Sequence, residues 1–430
     1  MRMRSRTWVF ALPAALALPA QALAAGYGIY EQGAAVLGMA GAGTASVSDA
    51  SALFYNPAAL TRLEGTQQLY AGGTLLTPVT SFAGAAPFPG FGITEEMERQ
   101  FFPLPALYYA HALGRRWAAG LGLNAPYGLG VEWKNPDQFT GRYIVTKADL
   151  EGVNLGLSAA YEISPMLSVA AGGDVIFSKV KLVRRLQQPF PPGGQIVDVA
   201  EATLESHVEP GYGWNAAVSF VPQERWSLGA TYRSKLVTKP AGDADFRQIP
   251  TGDALFDAQV AAALPPDQGV HTVLRFPAIW SAGAAWRPGR WKVEADAVLT
   301  EWSVFRDLPI RFTSTPQNDE TLVEDYADSW SFRFGAEHRL DAFTYRFGYY
   351  YDQKAAPSES VTPILPDAPR NGVALGLGFG FGAERRWTLD LYNLSVFVEQ
   401  RDTGGVNRDG FDGEYKTYVN ALGLNVGYRW

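Results

Sequence analysis

Cysteine is absent from the 430 residues. That excludes disulfides, thiolate metal sites, iron–sulfur clusters and cysteine nucleophiles. Charged residues make up only 18%, against roughly 25% in an ordinary soluble domain. No run of about 20 apolar residues follows the N-terminus, which excludes a bundle of transmembrane helices. The net charge of −7 argues against a nucleic-acid partner. Histidine is scarce and scattered: His111, His207, His271 and His338. Neither HExxH nor GxSxG occurs, and no ligand spacing suggests a metal, so neither catalysis nor a cofactor is expected. Aromatics, by contrast, are abundant: 12 Trp, 20 Tyr and 24 Phe make 13% of the chain.

Arg2, Arg4 and Arg6 precede an apolar stretch from Thr7 to Ala20, and Ala22-Leu23-Ala24 reads as an A-x-A cleavage site. Residues 1–24 are therefore expected to be an export signal, with a mature start at Ala25. After about residue 65 the chain alternates apolar and polar with period two. Trp226, Leu228, Ala230 and Tyr232 share one face; Ser227, Gly229, Thr231 and Arg233 share the other. Phe343, Tyr345, Phe347 and Tyr349 alternate in the same way with Thr344, Arg346, Gly348 and Tyr350. Each segment is a strand with one greasy face. In a soluble sandwich such faces meet in a core; in an outer-membrane barrel they meet lipid. Trp117, Trp226, Trp286, Trp291 and Trp387 stand at strand ends beside short turns, where membrane girdles lie. Short turns alternate with long polar loops, which also favours the barrel.

Strands are expected near 67–84, 101–113, 117–133, 143–163, 166–186, 207–221, 226–240, 271–287, 291–314, 325–338, 342–356, 370–382, 386–401 and 414–430. The expected fold is all-β: a transmembrane antiparallel β-barrel of about 14 strands over residues 66–430. The last strand alternates Leu422, Leu424, Val426, Tyr428 and Trp430 with polar or small residues. Its aromatic end resembles the signal read by the outer-membrane barrel assembly machinery. Residues 25–65 do not alternate and are rich in small side chains, with a short helix or two expected from Asp49 to Thr61, broken at Asn56-Pro57. Such a segment makes a poor core alone. A lumen this wide is either a channel or plugged, so residues 25–65 are expected inside it as a hatch.

The start Ala25-Gly26-Tyr27, the Gly/Ala-rich run and Asp49-Ala50-Ser51-Ala52-Leu53-Phe54-Tyr55-Asn56-Pro57-Ala58-Ala59-Leu60 resemble the FadL family of outer-membrane transporters for long-chain fatty acids and other hydrophobic compounds. Tyr127-Gly128-Leu129, Gly213-Trp214-Asn215-Ala216 and Tyr232-Arg233-Ser234 are similar too. The resemblance implies passive, hatch-gated diffusion of a hydrophobic small molecule. It also implies a kinked third strand through which ligand leaves sideways into lipid. The family's third external loop is shortened here, roughly Gln187 to Ser206. Expected partners are the ligand, outer-membrane lipid and lipopolysaccharide, and the assembly machinery; a monomer in the outer membrane of a Gram-negative bacterium is expected. The competing reading is a non-transporting barrel acting as adhesin or phage receptor.

Site candidates follow. Asn56, Pro57 and Ala58 are read as the hatch gate, against an ordinary helix break. Pro126, Gly128 and Gly130 are read as a lateral opening, against a strand end or packing bulge, because proline cannot donate to a ladder and a closed barrel has no edge. Leu255, Phe256, Val260, Ala263 and Leu264 share a helical face that would catch greasy ligands, or pack on a neighbouring loop. Pro87, Phe88, Pro89 and Phe91 form a second apolar tip. Lys179 resembles a family position near the ligand head group. Ala327 stands where a second basic residue is expected, and Arg333 is the candidate substitute. Lumen charges such as Arg233, Arg333, Arg346, Glu294, Asp296 and Asp390 are otherwise read as pairing with one another or with the hatch.

Overall fold

The computed structural model describes residues 26–191 and 193–430. The expected export signal at 1–24 and the start at Ala25 lie outside the described residues. Fourteen strands form a closed antiparallel barrel. They are β1 (Gln67–Gly84), β2 (Phe102–Ala112), β3 (Trp117–Glu132), β4 (Lys147–Ser164), β5 (Leu167–Phe190), β6 (Glu209–Gln223) and β7 (Trp226–Arg233). The second half is β8 (Ile279–Trp286), β9 (Trp291–Thr300), β10 (Ser329–Leu340), β11 (Phe343–Asp352), β12 (Arg370–Phe381), β13 (Trp387–Val398) and β14 (Gly413–Arg429). Each pairs with its sequence neighbours, and β14 closes on β1 from Gln68↔Arg429 to Gly84↔Gly413. The Trp430 carbonyl accepts from the Thr66 N–H at 2.8 Å, so both barrel ends meet on the short-turn side.

The greasy faces point outward. Phe334, Tyr345, Phe347, Leu375, Leu377 and Leu422 are exposed, while their neighbours in sequence face a filled lumen. Aromatics pair at the short-turn rim, as in Trp117 with Tyr161 at 4.6 Å and Trp387 with Tyr428 at 4.5 Å between ring centres. A second belt, Trp214–Tyr232–Trp280, lies toward the loops. Amphipathic rings in two bands match the two interfaces of a bilayer.

Three strands are shorter than the alternation suggests. β7 stops at Arg233, β8 begins at Ile279 after Pro277, and β9 stops at Thr300 before a 3-10 turn, Trp302–Val304. The alternating residues beyond them build an outer sheet instead. It runs from the upper part of β5 through Gln195–Ser206, Ala241–Gln248, Gln268–Thr272 and Asp307–Phe312 to Glu320–Val323. Ala244, Val270, Ile310 and Phe312 form its buried side. The shortened third loop is thus a β-hairpin, the end of β5 with Gln195–Ser206.

The N-terminal segment lies inside the barrel. It holds a short helix α1 (Ala34–Leu37), a second, α2 (Ala52–Tyr55), and a 3-10 turn (Pro57–Arg62). Asn56 is extended between the last two, at φ −162° and ψ 95°. The wall grips this segment from several sides. Asp296 of β9 accepts the Gly43 and Thr44 N–H groups at 2.9 Å each. Glu294 accepts the Ala45 N–H at 2.6 Å and bonds the Ser46 hydroxyl. Asn425 of β14 accepts the Ala34 N–H at 2.9 Å, and Tyr108 of β2 donates to the Gln32 carbonyl at 2.8 Å. Small residues set the fit: a Cβ on Gly38 would come within 3.0 Å of the Gly376 Cα on β12.

Candidate functional site

β2 and β3 separate partway up the wall. They pair from Ala112↔Ala118 to Leu107↔Leu123 and no further among the described residues. They are bridged again only through the first loop, by Met97↔Trp133 and by the Glu98 N–H on the Glu132 carbonyl at 2.7 Å. Between lies a window, with Phe102–Ala106 on one side and Asn124–Val131 on the other. Pro126 sits at its edge. The β3–β4 register slips between Asn124 and Tyr127, so Ala125 and Pro126 form a bulge. This is what a proline inside a ladder produces.

The N-terminal segment occupies the freed edge of β3. The Ile29 N–H donates to the Pro126 carbonyl at 2.8 Å, and the Gly128 N–H donates to the Tyr27 carbonyl at 3.1 Å. The Gln32 amide accepts from the Ala125 N–H at 3.2 Å and donates to its carbonyl at 2.8 Å. Residues 27–32 therefore stand where β2 would otherwise pair.

Two residues the sequence reading passed over keep β2 away. Successive N–H groups of a strand point to opposite neighbours. The Ala112 N–H donates toward β1, to Thr66, and the Leu113 N–H toward β3, to Trp117. Odd positions of β2 thus face β3, and Pro103 and Pro105 are odd. Both lack the donor that would close the window. Two prolines at i and i+2 within an alternating run were the available signal. Above them the Phe102 ring lies against the bare backbone of Gly130, where a Cβ would collide with it.

A cavity of about 500 Å³ opens onto this window. Part of its lining faces the lumen: Leu76 and Thr80 of β1, Val396 of β13 and Val419 of β14. Another part is Asp149, Glu151 and Val153 of β4, which alternate out of phase with buried Ala148, Leu150 and Asn154 and so belong to the outer face. At the window the cavity lining thus draws on both faces of the wall. Tyr27, Ile29 and Glu31 line its inner end. Asp367 also lines it, accepting the Gly26, Ala355 and Ala356 N–H groups at 3.1, 2.7 and 2.8 Å. Burial pushes the Glu31 carboxyl above the usual carboxylate range, with Arg370 and Arg333 pulling it back.

The other candidates lie elsewhere. Asn56, Pro57 and Ala58 do not line the cavity. Asn56 is buried, donating to the Thr44 carbonyl at 2.7 Å and to Val218 of β6 at 3.1 Å while accepting the Ala58 N–H at 3.0 Å. Lys179 shares the outer face of β5 with exposed Phe177 and pairs with Glu205 at 2.5 Å, outside the cavity lining. Arg333 is buried. It donates to the Ala40 carbonyl at 3.0 Å, faces Asp352 at 3.4 Å and lies over the Tyr30 ring at 4.0 Å. It holds the N-terminal segment rather than lining the cavity. The loop helix α3 (Ala254–Ala263) forms where expected, capped by Asp253. The apolar residues read as one face do not share one environment: Phe256 and Val260 pack on Val199, Leu186 and Phe190, whereas Leu255 is 73% exposed. In the first loop Phe91 is 82% exposed.

Comparison with known proteins agrees with this architecture. A 47 kDa outer membrane protein of Pasteurella multocida is 28% identical over 97% of both chains. A long-chain fatty acid transport protein of Escherichia coli is 25% identical over 98% of both. Among solved structures, a Pseudomonas aeruginosa FadL homologue superposes with a TM-score of 0.82 at 21% identity, covering 94% of this chain and 99% of that one. The P. putida toluene transporter TodX gives 0.75 at 19% identity, covering 93% and 99%. The model of a family described as outer membrane protein transport protein (OMPP1/FadL/TodX) matches residues 15–430. The chain therefore belongs to the FadL/TodX family of transporters of hydrophobic compounds, and is a multi-pass barrel of the Gram-negative outer membrane.

Proposed function

We propose that the protein admits a hydrophobic small molecule from outside into the wall-crossing cavity and releases it sideways into lipid between β2 and β3. Residues 25–65 act as the hatch and residues 66–430 as the barrel. The Asn56-Pro57-Ala58 turn, held to β6, is the fixed end about which the hatch moves. Phe91 and Leu255 offer the first apolar contacts outside. The observation that carries this reading is the single cavity lined by lumen-facing residues at one end and outward-facing β4 residues at the other. The energetics agree. Burial is worth about 0.8 kcal/mol per CH₂, so release into periplasmic water would trap a long apolar ligand, whereas release into lipid would not.

The test is to seal the wall. Pro103→Val, Pro105→Thr and Pro126→Val restore donors and strand formers along the window. With folding and insertion verified by heat-modifiable migration, uptake of radiolabelled toluene or dodecanol by whole cells should fall at least tenfold. Toluene or dodecanol binding to purified protein should persist. Uptake at the normal rate would overturn lateral exit. Equal uptake by strains with and without the gene would overturn transport and leave the loops as an adhesin or phage receptor.

A further inference from the structure

We propose that the cavity selects uncharged apolar ligands against carboxylates, with Glu31 as the specificity-determining side chain. The inference rests on the cavity's being the transport route.

The charged residues lining it, among those described, are Glu31, Asp149, Glu151, Asp367 and Arg370. Four of the five are acids, and the one cation is shared with Asp352. The Arg370 Nε donates to Asp352 at 3.0 Å. Asp352 is shared in turn with Arg333. A ligand carboxylate would therefore meet four acids against one arginine that Asp352 already shares, among the described lining residues. Lys179, the basic residue the resemblance placed at a head group, faces outward and is paired with Glu205. Moving an anion out of water into such a site without a partner is strongly unfavourable.

Glu31 differs from the other lining acids. Asp367 is satisfied by three backbone N–H groups, and Asp149 stands at the outer mouth 3.9 Å from Lys147. Glu31 lines the inner end beside Tyr27 and Ile29, and Arg370 and Arg333 reach it only through space. Its carboxyl is a polar handle at the inner end of the chamber. It can accept a hydrogen bond from a hydroxyl head and repels a carboxylate head. A hydrocarbon, having no head group, is indifferent to it.

The test uses two probes of equal chain length, dodecan-1-ol and dodecanoate, with toluene as a headless control. Binding to purified protein at pH 8 is followed by tryptophan fluorescence and calorimetry. The native protein should bind dodecanol at least tenfold more tightly than dodecanoate. Glu31→Arg should reverse the order, with dodecanoate gaining at least tenfold relative to toluene. Glu31→Gln, which keeps the shape, serves if the arginine variant does not insert; it should bring the two probes closer by several-fold. Equal binding of dodecanol and dodecanoate to native protein, unaltered by either variant, would overturn the selectivity and leave the transport reading intact. Failure of all three probes to bind native protein would instead overturn the cavity as the route, and the selectivity with it.

Discussion

Asp296 shows how much one lumen residue carries. Its carboxylate takes two N–H groups of the turn at Gly43 and Thr44. Asp296→Ala would leave both donors without a partner where water is scarce, at about 1–3 kcal/mol each. We expect faster hydrogen exchange at the amides of Gly43 to Ser46 and a larger ion conductance in planar bilayers. Unchanged exchange would show that the contact contributes nothing to docking. A second residue works through pH. Burial, helped by Asp409 and Asp325 and opposed by Arg408, pushes the Glu324 carboxyl up to about 7 from an ordinary 4.5. The folded loops thus hold this proton more tightly than the unfolded chain. The stabilisation is complete below about pH 4.5 and is lost as pH rises through about 7. Thermal melts should show the native protein losing stability between pH 5 and pH 8. Glu324→Gln should flatten that part of the profile, and an identical slope in the variant would refute the assignment.

At the scale of elements, the N-terminal segment and β3 form one unit. The carbonyl of Pro126 and the N–H of Gly128 pair with residues 27–29 and not with β2. Removal of residues 26–63 should leave a folded barrel, because all fourteen strands close without them. It should also empty the lumen, giving a conductance several-fold above that of the intact protein. A truncated barrel that conducts no more than the native one would mean the loops seal the lumen by themselves. The helix α3 belongs to the same scale. A residue advances 100° around a helix, so neighbours Leu255 and Phe256 cannot both be central to one buried face. The contact with the hairpin at Phe190 chose Phe256, with ring centres 5.0 Å apart.

The whole molecule is a ring whose seam is β1 with β14, the longest separation in the chain. Trp430 contributes its carbonyl to Thr66 and Gln67, at 2.8 and 3.2 Å, and stacks on Tyr428 at 5.1 Å. Those contacts are few beside seventeen paired positions along the seam. Deleting Trp430 should therefore reduce the amount of inserted protein in cells far more than it lowers the melting point of what does insert. Normal membrane levels of the deletion would contradict a role in assembly.

The class, the strand number and the lipid-facing side were legible from residues alone, because side-chain alternation is local and needs no partner. Phe343, Tyr345 and Phe347 point outward whatever lies beside them. The break at Asn56-Pro57 and the irregularity at Pro126 were legible for the same reason, since a missing N–H is a property of one residue. The window was not. Whether Pro103 and Pro105 open a wall depends on which neighbour their absent donors would have faced, and that is set by register with β1 and β3. Likewise strand parity, not residue type, turned Lys179 outward to Glu205. The cavity needed closure of the ring, because Glu31, Asp149, Asp367 and Val419 are spread along nearly the whole chain and become neighbours only when β14 meets β1.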